Sequence, residues 1–194
     1  MVTKHDQNRA EKRERLIRAA VDAFTEAGFD NTTVSDVVRR AGMTPSTFYN
    51  YYRDKDALRD ELVEVAAGQM LAGLAAVRRK ARGIEEYVGL VCRGLFSAMV
   101  LDRTMASLLR RNLPMLRSLL DAKALLPVQA ALRSDLETAV SSGFIAPLNL
   151  DYGTAMLRAS FFEIGVVLLT SPNPDLSTAV EFATRTLGSA FRAR

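Results

Sequence analysis

The segment from Thr32 to Leu58 constrains the fold of this chain more than any other stretch, because it places helix signals on both sides of one glycine. Thr33 is followed three residues later by Asp36, the spacing of a capping box at a helix N-terminus. We expect this helix to end at Gly42, in a tight turn that leaves no room for a Cβ atom. Thr44 then precedes Pro45, which suits the first position of another helix. The segment therefore predicts two short helices joined by a turn.

Apolar residues in this segment recur on one face of each predicted helix. The inward set is Val34, Val37, Val38, Ala41, Met43, Phe48 and Tyr52. Polar and aromatic side chains remain on the outer face, namely Thr47, Tyr49, Asn50 and Tyr51. Two helices around a glycine turn define the helix-turn-helix motif, whose second helix enters the major groove of DNA. The pattern thus indicates a DNA-binding unit.

Helical periodicity continues through the remaining sequence, and no alternating strand pattern is evident. We therefore predict an all-α chain of about nine or ten helices. Residues 9–54 form the predicted N-terminal helix-turn-helix domain, which follows a flexible tail at 1–8. Residues 55–194 form a larger helical domain.

The residue inventory disfavours catalysis and metal binding. His5 and Cys92 are the only histidine and cysteine, so histidine triads, cysteine-rich metal clusters and internal disulfides are not expected. The sequence shows no paired-carboxylate constellation, G-x-S-x-G elbow or phosphate-binding loop. We predict no enzymatic activity, no catalytic residue, no metal and no cofactor.

The sequence also suggests where the chain resides. No apolar run follows Met1, and the most apolar stretch, Tyr152–Thr170, contains Arg158 and Glu163 and is short for a bilayer span. We interpret that stretch as a buried helix, and expect a cytoplasmic protein without a membrane partner. The net charge of +4 favours polyanionic partners only weakly.

Residues 32–58 closely resemble the DNA-binding signature of the TetR family of transcriptional regulators, roughly T-T-V-x-D-I-A-x-x-A-G-V-S-x-x-T-L-Y-x-Y-F-x-x-K-x-x-L. The matching positions are Thr32, Thr33, Val34, Asp36, Ala41, Gly42, Thr47, Tyr49, Tyr51, Lys55 and Leu58. The departures are conservative: Val37, Val38, Met43, Thr44, Phe48 and Tyr52. The resemblance covers about residues 9–60, and beyond them only helix number and length are similar.

By position, the resemblance implies phosphate contacts from Tyr49, Tyr51 and Lys55. Thr33 and Thr44, at helix N-termini, would add hydroxyl and backbone donors to phosphates. Base reading would fall to the variable outer positions Ser35, Pro45, Ser46, Thr47 and Asn50. Asn50 is suited to a bidentate adenine contact, and the scarcity of arginine suggests that DNA shape and water contribute to specificity.

Simpler roles compete with several of these assignments. Tyr52 is expected to pack between helices, and Tyr49 and Tyr51 have the same alternative, although they fall off the inner face. Lys55 lies between two aspartates and could belong to a solvated helix start. The basic first helix and tail could add phosphate or minor-groove contacts through Lys4, Arg9, Lys12 and Arg13.

The resemblance further implies an effector pocket among the middle helices. Its predicted lining is Phe96, Met99, Met105, Leu109, Leu116, Leu120, Phe161 and Phe162, with Arg93 and Glu163 as polar anchors or ordinary surface groups. Few charges fall on these faces, which favours a small hydrophobic effector such as an aromatic or acyl compound.

The last two helices carry small and aliphatic stripes that two copies of the chain would bury together. The predicted interface residues are Ala155, Ala159, Ala179, Ala183, Leu187 and Phe191. The family's usual homodimer uses the same arrangement. We therefore expect a homodimeric, ligand-responsive repressor released from a double-stranded DNA operator by its effector. The alternative is a DNA-binding regulator without a small-molecule effector, controlled by a protein partner or constitutive.

Overall fold

The computed structural model describes residues 4–191, with side chains described from Asp6 onward. Ten α-helices and one 3-10 turn make up the ordered elements of this range. They are α1 Lys4–Ala27, α2 Val34–Ala41, α3 Pro45–Tyr49, α4 Lys55–Arg78, α5 Ile84–Val100, α6 Arg103–Arg111, α7 Leu113–Ser118, the 3-10 turn Lys123–Leu125, α8 Leu126–Ser141, α9 Leu150–Thr170 and α10 Leu176–Phe191. The all-α prediction is confirmed. The suggested DNA contact by the Lys4 side chain lies outside the described residues.

The chain divides into two compact units whose limits differ from the predicted domains. The first unit comprises the residues up to Val65 together with Ser107–Leu120, and the second comprises Ala66–Ala106 and the residues from Asp121 onward. The predicted single boundary between residues 54 and 55 differs from this division, which falls inside α4 after Val65 and assigns Ser107–Leu120 to the first unit. The predicted flexible tail at 1–8 also needs correction, since residues 4–8 already belong to α1, while residues 1–3 lie outside the described range.

The core of the first unit is built from α1, α2, α3 and the start of α4. The predicted inward residues Val37, Val38, Ala41, Phe48 and Tyr52 are all buried in it. The Phe48 side chain is fully buried, and its ring centroid lies 5.5 Å from that of Tyr52. The inner face of α3 is thereby fixed, so its outer face has a defined orientation within the unit.

Gly42 ends α2 as predicted, but for a different reason from the one expected. Its φ angle of +62° lies in the left-handed region, and its N–H is directed at the carbonyls of Val38 and Arg39. A Cβ atom at this position would meet only the Arg15 guanidinium, 3.3 Å from its Nη2, and Gly42 is exposed to solvent. Backbone conformation therefore requires glycine here, and crowding does not.

The second unit packs α5 against α9 and α10, and α8 against α9. Glycines allow close approach of these helices: a Cβ on Gly165 of α9 would lie 2.7 Å from Met99 Sδ, and one on Gly188 of α10 would lie 2.6 Å from Glu85 Cγ. Of the described helices, α9 alone has the length and apolar composition that could cross a membrane. Its buried face includes Leu157 and Phe161, which makes it a helix of this core.

One polar cluster joins three helices within the second unit and was not predicted from the sequence. The Tyr87 hydroxyl on α5 donates a hydrogen bond to Asp135 Oδ2 on α8 at 2.5 Å, and the Arg78 guanidinium at the end of α4 pairs with the other oxygen of Asp135. Burial, more than the carboxylate, raises the pKa of Tyr87 far above its usual value. The phenol therefore remains a neutral donor that ties α5 to α8.

Candidate nucleic-acid interface

Two threonine caps set the positions at which α2 and α3 begin. Thr33 Oγ1 accepts a hydrogen bond from the Asp36 N–H at 3.2 Å, and the Asp36 carboxylate accepts one from the Thr33 N–H at 3.0 Å. This is the capping box that the sequence predicted. The Thr33 hydroxyl and N–H lower the pKa of Asp36, so its carboxylate stays ionised at the helix start. Thr44 Oγ1 caps α3 in the same way, accepting from the Thr47 N–H at 3.3 Å.

The residues predicted to read DNA lie on the outer faces of these two helices. Tyr49 is 58% exposed, and its ring stands edge-on to buried Phe48 at a centroid distance of 5.5 Å. Thr47 and Tyr51 are half-buried. The exposed members of the predicted set are Thr33, Ser35, Thr44, Pro45, Ser46, Tyr49 and Asn50. The structure therefore leaves most of the predicted contact residues accessible on an anchored helix pair.

Lys55, which the sequence predicted as a phosphate contact or as part of a solvated helix start, makes contacts that neither prediction included. Its Nζ donates to the carbonyl oxygens of Phe29 at 2.5 Å and Thr32 at 2.7 Å, and it lies 4.2 Å from the centroid of the Phe29 ring. The ammonium is thus held against the turn that joins α1 to α2. We reassign Lys55 from a phosphate contact to the support of this turn, which positions α2.

The same turn is held by a residue that the sequence did not single out. Asn112, buried between α6 and α7, accepts a hydrogen bond from the Phe29 N–H at 2.6 Å through Oδ1. Its Nδ2 donates to the carbonyls of Phe24 at 3.0 Å and Leu108 at 2.7 Å. Asn112 lay in the stretch assigned to the effector domain, so no local pattern linked it to a residue 83 positions away.

An ion pair connects α1 with α4 beneath the outer surface. Arg13 Nη2 lies 2.9 Å from Glu61 Oε1, with the Arg13 side chain half-exposed and that of Glu61 largely buried. The Tyr52 phenol lies beside this pair, and burial raises its pKa to about 12. Tyr52 is therefore a neutral packing residue, as predicted, and Arg13 is engaged with Glu61.

The predicted effector lining is divided between the two compact units. Phe96, Met99 and Phe161 are buried in the second unit, where Phe96 and Met99 lie against Gly165. Leu109, Leu116 and Leu120 belong instead to the first unit. Three further members require correction or reassessment: Arg93 is exposed on α5, Met105 is 41% exposed, and Phe162 is only half-buried. These three residues lie on the outer or flanking faces of α5, α6 and α9, away from the buried faces of those helices.

Only some of the predicted dimer residues are exposed. Ala183, Leu187 and Phe191 are buried in the core of one protomer, so they cannot supply an intersubunit surface, and Ala179 is half-buried. Ala155 and Ala159 are exposed as predicted. The large apolar side chains exposed on these two helices are Tyr152, Met156, Val167 and Phe182, which sequence reasoning missed because both faces of α9 and α10 are apolar.

This geometry defines a helix-turn-helix DNA-binding domain within a larger helical protein. Residues 16–62 match the model of bacterial regulatory proteins of the tetR family. Residues 16–62 therefore form a DNA-binding domain of the tetR family, whose members are transcriptional regulators and not enzymes. The resemblance drawn from Thr32–Leu58 is thereby confirmed.

Relatives agree with this assignment over part of the chain. The HTH-type transcriptional regulator YdgC of Bacillus subtilis (strain 168) is 42% identical over 53 residues, 27% of each chain. The fatty acid metabolism regulator protein of the same strain is 26% identical over 91 residues, 47% of each chain. These alignments span less than half of either relative.

A solved structure extends the similarity of fold to nearly the whole chain. The transcriptional regulator FadR from Bacillus subtilis, in complex with stearoyl-CoA, superposes with a TM-score of 0.78. The superposition covers 92% of this chain and 99% of FadR, at 22% sequence identity. At that identity the likeness establishes the common fold of both units.

Proposed function

We propose that this protein is a cytoplasmic, homodimeric repressor that binds an operator through α2 and α3 and is released by an acyl effector. The observation that carries the proposal is the anchored α3, whose buried Phe48 fixes the orientation of exposed Tyr49 and Asn50. A short helix fixed in this way presents side chains to base edges with little loss of conformational freedom on binding.

The outer residues divide by the contacts that their chemistry suits. Tyr49 and Tyr51 provide hydroxyl donors to phosphates, and the exposed starts of α2 and α3, at Thr33 and Thr44, provide backbone donors. Base readout falls to the remaining outer residues, Ser35, Pro45, Ser46, Thr47 and Asn50. Asn50 provides the paired donor and acceptor that adenine recognition requires.

Dimerisation is proposed through the exposed faces of α9 and α10. Tyr152 is 77% exposed, Val167 69% and Phe182 50%, and exposed Ala155 and Ala159 share the outer side of α9. Large apolar side chains grouped on two neighbouring helices favour burial against a second copy. A two-fold dimer presents two recognition helices, and its operator should be an inverted repeat.

An acyl effector is supported by a similarity of fold and a similarity of sequence to fatty-acid regulators. FadR of Bacillus subtilis shares the fold and was solved with stearoyl-CoA, and a fatty acid metabolism regulator of the same organism is related in sequence. The second unit of this chain has an apolar interior that includes Phe96, Met99 and Phe161. An acyl chain would stabilise one arrangement of these helices, and differential affinity for that arrangement would lower operator affinity.

Selection from a random duplex library with the full-length protein tests the DNA-binding proposal. We expect enrichment of an inverted repeat, and a loss of discrimination at one position in each half-site on Asn50→Ala. The matched control is Asn31→Ala, an exposed asparagine outside α2 and α3. Enrichment of no sequence would overturn the proposed regulator, and enrichment of a single half-site would overturn the dimer.

Stearoyl-CoA, with free coenzyme A as the matched control, tests the effector class. A ligand that binds the folded protein raises the melting temperature by mass action. We expect stearoyl-CoA alone to raise the melting temperature and to dissociate the selected duplex. If neither compound releases the duplex, a regulator without an acyl effector is favoured. If coenzyme A alone releases it, the protein recognises the nucleotide part of the ligand and not the acyl chain.

A further inference from the structure

Helix α1 begins well before the segment that matches the tetR family model. Twelve residues, 4–15, precede that match at residue 16 and are helical, a length of about 18 Å at 1.5 Å per residue. Every residue from Asp6 to Arg15 is exposed, and only Ala10 among them is apolar. This extension, residues 4–15, therefore adds no buried apolar surface to the first unit, and its formation is not explained by the core.

The register of α1 brings two cations of the extension to the same side as its core residues. Leu16 and Ala20 are fully buried, and the positions one and two turns before Leu16 are Lys12 and Arg9. Because residues four apart share a helix face, the inner face of α1 becomes cationic beyond the core. The Arg9 guanidinium accordingly lies over the Tyr51 ring, 6.0 Å from its centroid.

Two open clefts flank the contact between Arg9 and Tyr51, and their charges differ. One, of about 430 Å³, is lined by Asn8, Arg9, Lys12, Thr47, Asn50 and Tyr51. The other, of about 470 Å³, is lined by Asp6, Arg9, Ala10, Arg13, Tyr51 and Glu61. The first has two cations and no acid, whereas in the second Arg13 is paired with Glu61 and Asp6 adds a further negative charge. An anion is therefore favoured in the first cleft alone.

We propose that this first cleft binds a phosphate of the DNA backbone, held by Arg9 and Lys12 of the helical extension. The inference rests on the proposed function, and it adds a contact element that lies outside the matched family segment. Lys12 supplies a mobile ammonium, and Arg9 a guanidinium oriented by the Tyr51 ring. Asn8 and the Tyr51 hydroxyl supply neutral donors to the remaining phosphate oxygens.

The position of the cleft favours backbone phosphate over free anions. Thr47 and Asn50 line its wall and are also the residues proposed to read bases. A duplex whose base edges meet Asn50 carries its sugar-phosphate backbone past the neighbouring surface, where the two cations lie. The phosphate contact of Arg9 and Lys12 therefore contributes affinity and fixes the register of α3 on the DNA. The sequence preference depends on the base-reading residues.

The salt dependence of binding measures this contact directly. The probe is the duplex selected by the wild-type protein, with the dissociation constant measured from 50 to 300 mM salt. Each lost phosphate contact reduces the slope of log affinity against log salt by about 0.9, so Arg9→Ala and Lys12→Ala should each lower it by that amount. The control is Arg18→Ala, which removes an equal charge from an exposed α1 side chain paired with Glu14.

A second measurement separates phosphate contacts from base contacts and from long-range attraction. Methylphosphonates placed one at a time along the duplex should reveal a position that weakens the wild-type protein but not Lys12→Ala. Selection with Lys12→Ala should return the wild-type sequence. The proposed phosphate contact is overturned if Arg9→Ala and Lys12→Ala have the same slope of log affinity against log salt as Arg18→Ala. It is also overturned if Lys12→Ala selects a different sequence. In those cases the wild-type protein still binds its duplex, and the proposed function stands.

Discussion

The backbone N–H of Phe29 donates a hydrogen bond to Asn112 Oδ1 at 2.6 Å, and the carbonyl of Phe29 accepts one from Lys55 Nζ at 2.5 Å. One residue in the turn between α1 and α2 is thus held by two side chains from elsewhere in the first unit, one at the start of α4 and one between α6 and α7. Thr32 adds a third restraint, because its hydroxyl donates to the Gly28 carbonyl at 2.7 Å. The angle at which α2 leaves α1 therefore depends on residues far along the sequence.

Replacing Asn112 should destabilise the first unit substantially. Asn112→Ala leaves the buried Phe29 N–H without a partner and removes one of the two hydrogen bonds to the Phe24 carbonyl, which should lower the free energy of unfolding by about 2 kcal/mol. Urea denaturation followed by circular dichroism measures the change. Asn31→Ala, which removes an exposed hydrogen bond at the same turn, is the control and should cost about 0.5 kcal/mol. Equal losses in both variants would show that Asn112 does not hold the turn.

Lys55 offers a test between a structural and an electrostatic role. Lys55→Met should lower the free energy of unfolding by about 2 kcal/mol, because it removes two charge-assisted hydrogen bonds to backbone carbonyls. The salt slope of DNA binding should remain that of the wild type, because no phosphate contact is lost. If the salt slope instead falls by about 0.9 and the free energy of unfolding is unchanged, Lys55 contacts a DNA phosphate.

The sequence predicted those features that depend on neighbouring residues. The threonine caps, the inward set around Phe48 and the glycine that ends α2 are all local, and each is present. The features it missed depend on contacts between distant segments. Asn112 meets Phe29 across 83 positions, and Lys55 meets it across 26. A helix with apolar residues on both faces is equally ambiguous, which explains why Leu187 was placed in the interface although it lies in the core.

The capping box makes the stability of α2 depend on acid pH. Hydrogen bonds from Thr33 hold the pKa of Asp36 below its ordinary value, so the carboxylate stabilises the folded state at neutral pH. That contribution is present above the ordinary aspartate pKa of about 3.9 and is lost as the pH falls through the lowered value. Asp36→Asn should therefore be less stable than the wild type at pH 7, with a difference that shrinks below about pH 4.

Urea denaturation at a series of pH values from 7 to 3 measures that difference. Asp30→Asn, an exposed aspartate in the turn before α2, is the control and should show a small difference at every pH. If the stability difference between the wild type and Asp36→Asn stays constant over the whole pH range, ionisation of the Asp36 carboxylate does not stabilise the folded state.

The proposed dimer depends on the exposed apolar side chains of α9 and α10. Phe182→Glu places a charge on a side chain that is 50% exposed, so the protomer should fold normally while the dimer dissociates. Sedimentation equilibrium should give the mass of two chains for the wild type and of one chain for Phe182→Glu. Leu101→Glu is the matched control, because Leu101 is 70% exposed but lies between α5 and α6, and this variant should remain dimeric. A wild-type monomer would contradict the proposed dimer. A Phe182→Glu variant that stays dimeric would show that the interface lies elsewhere.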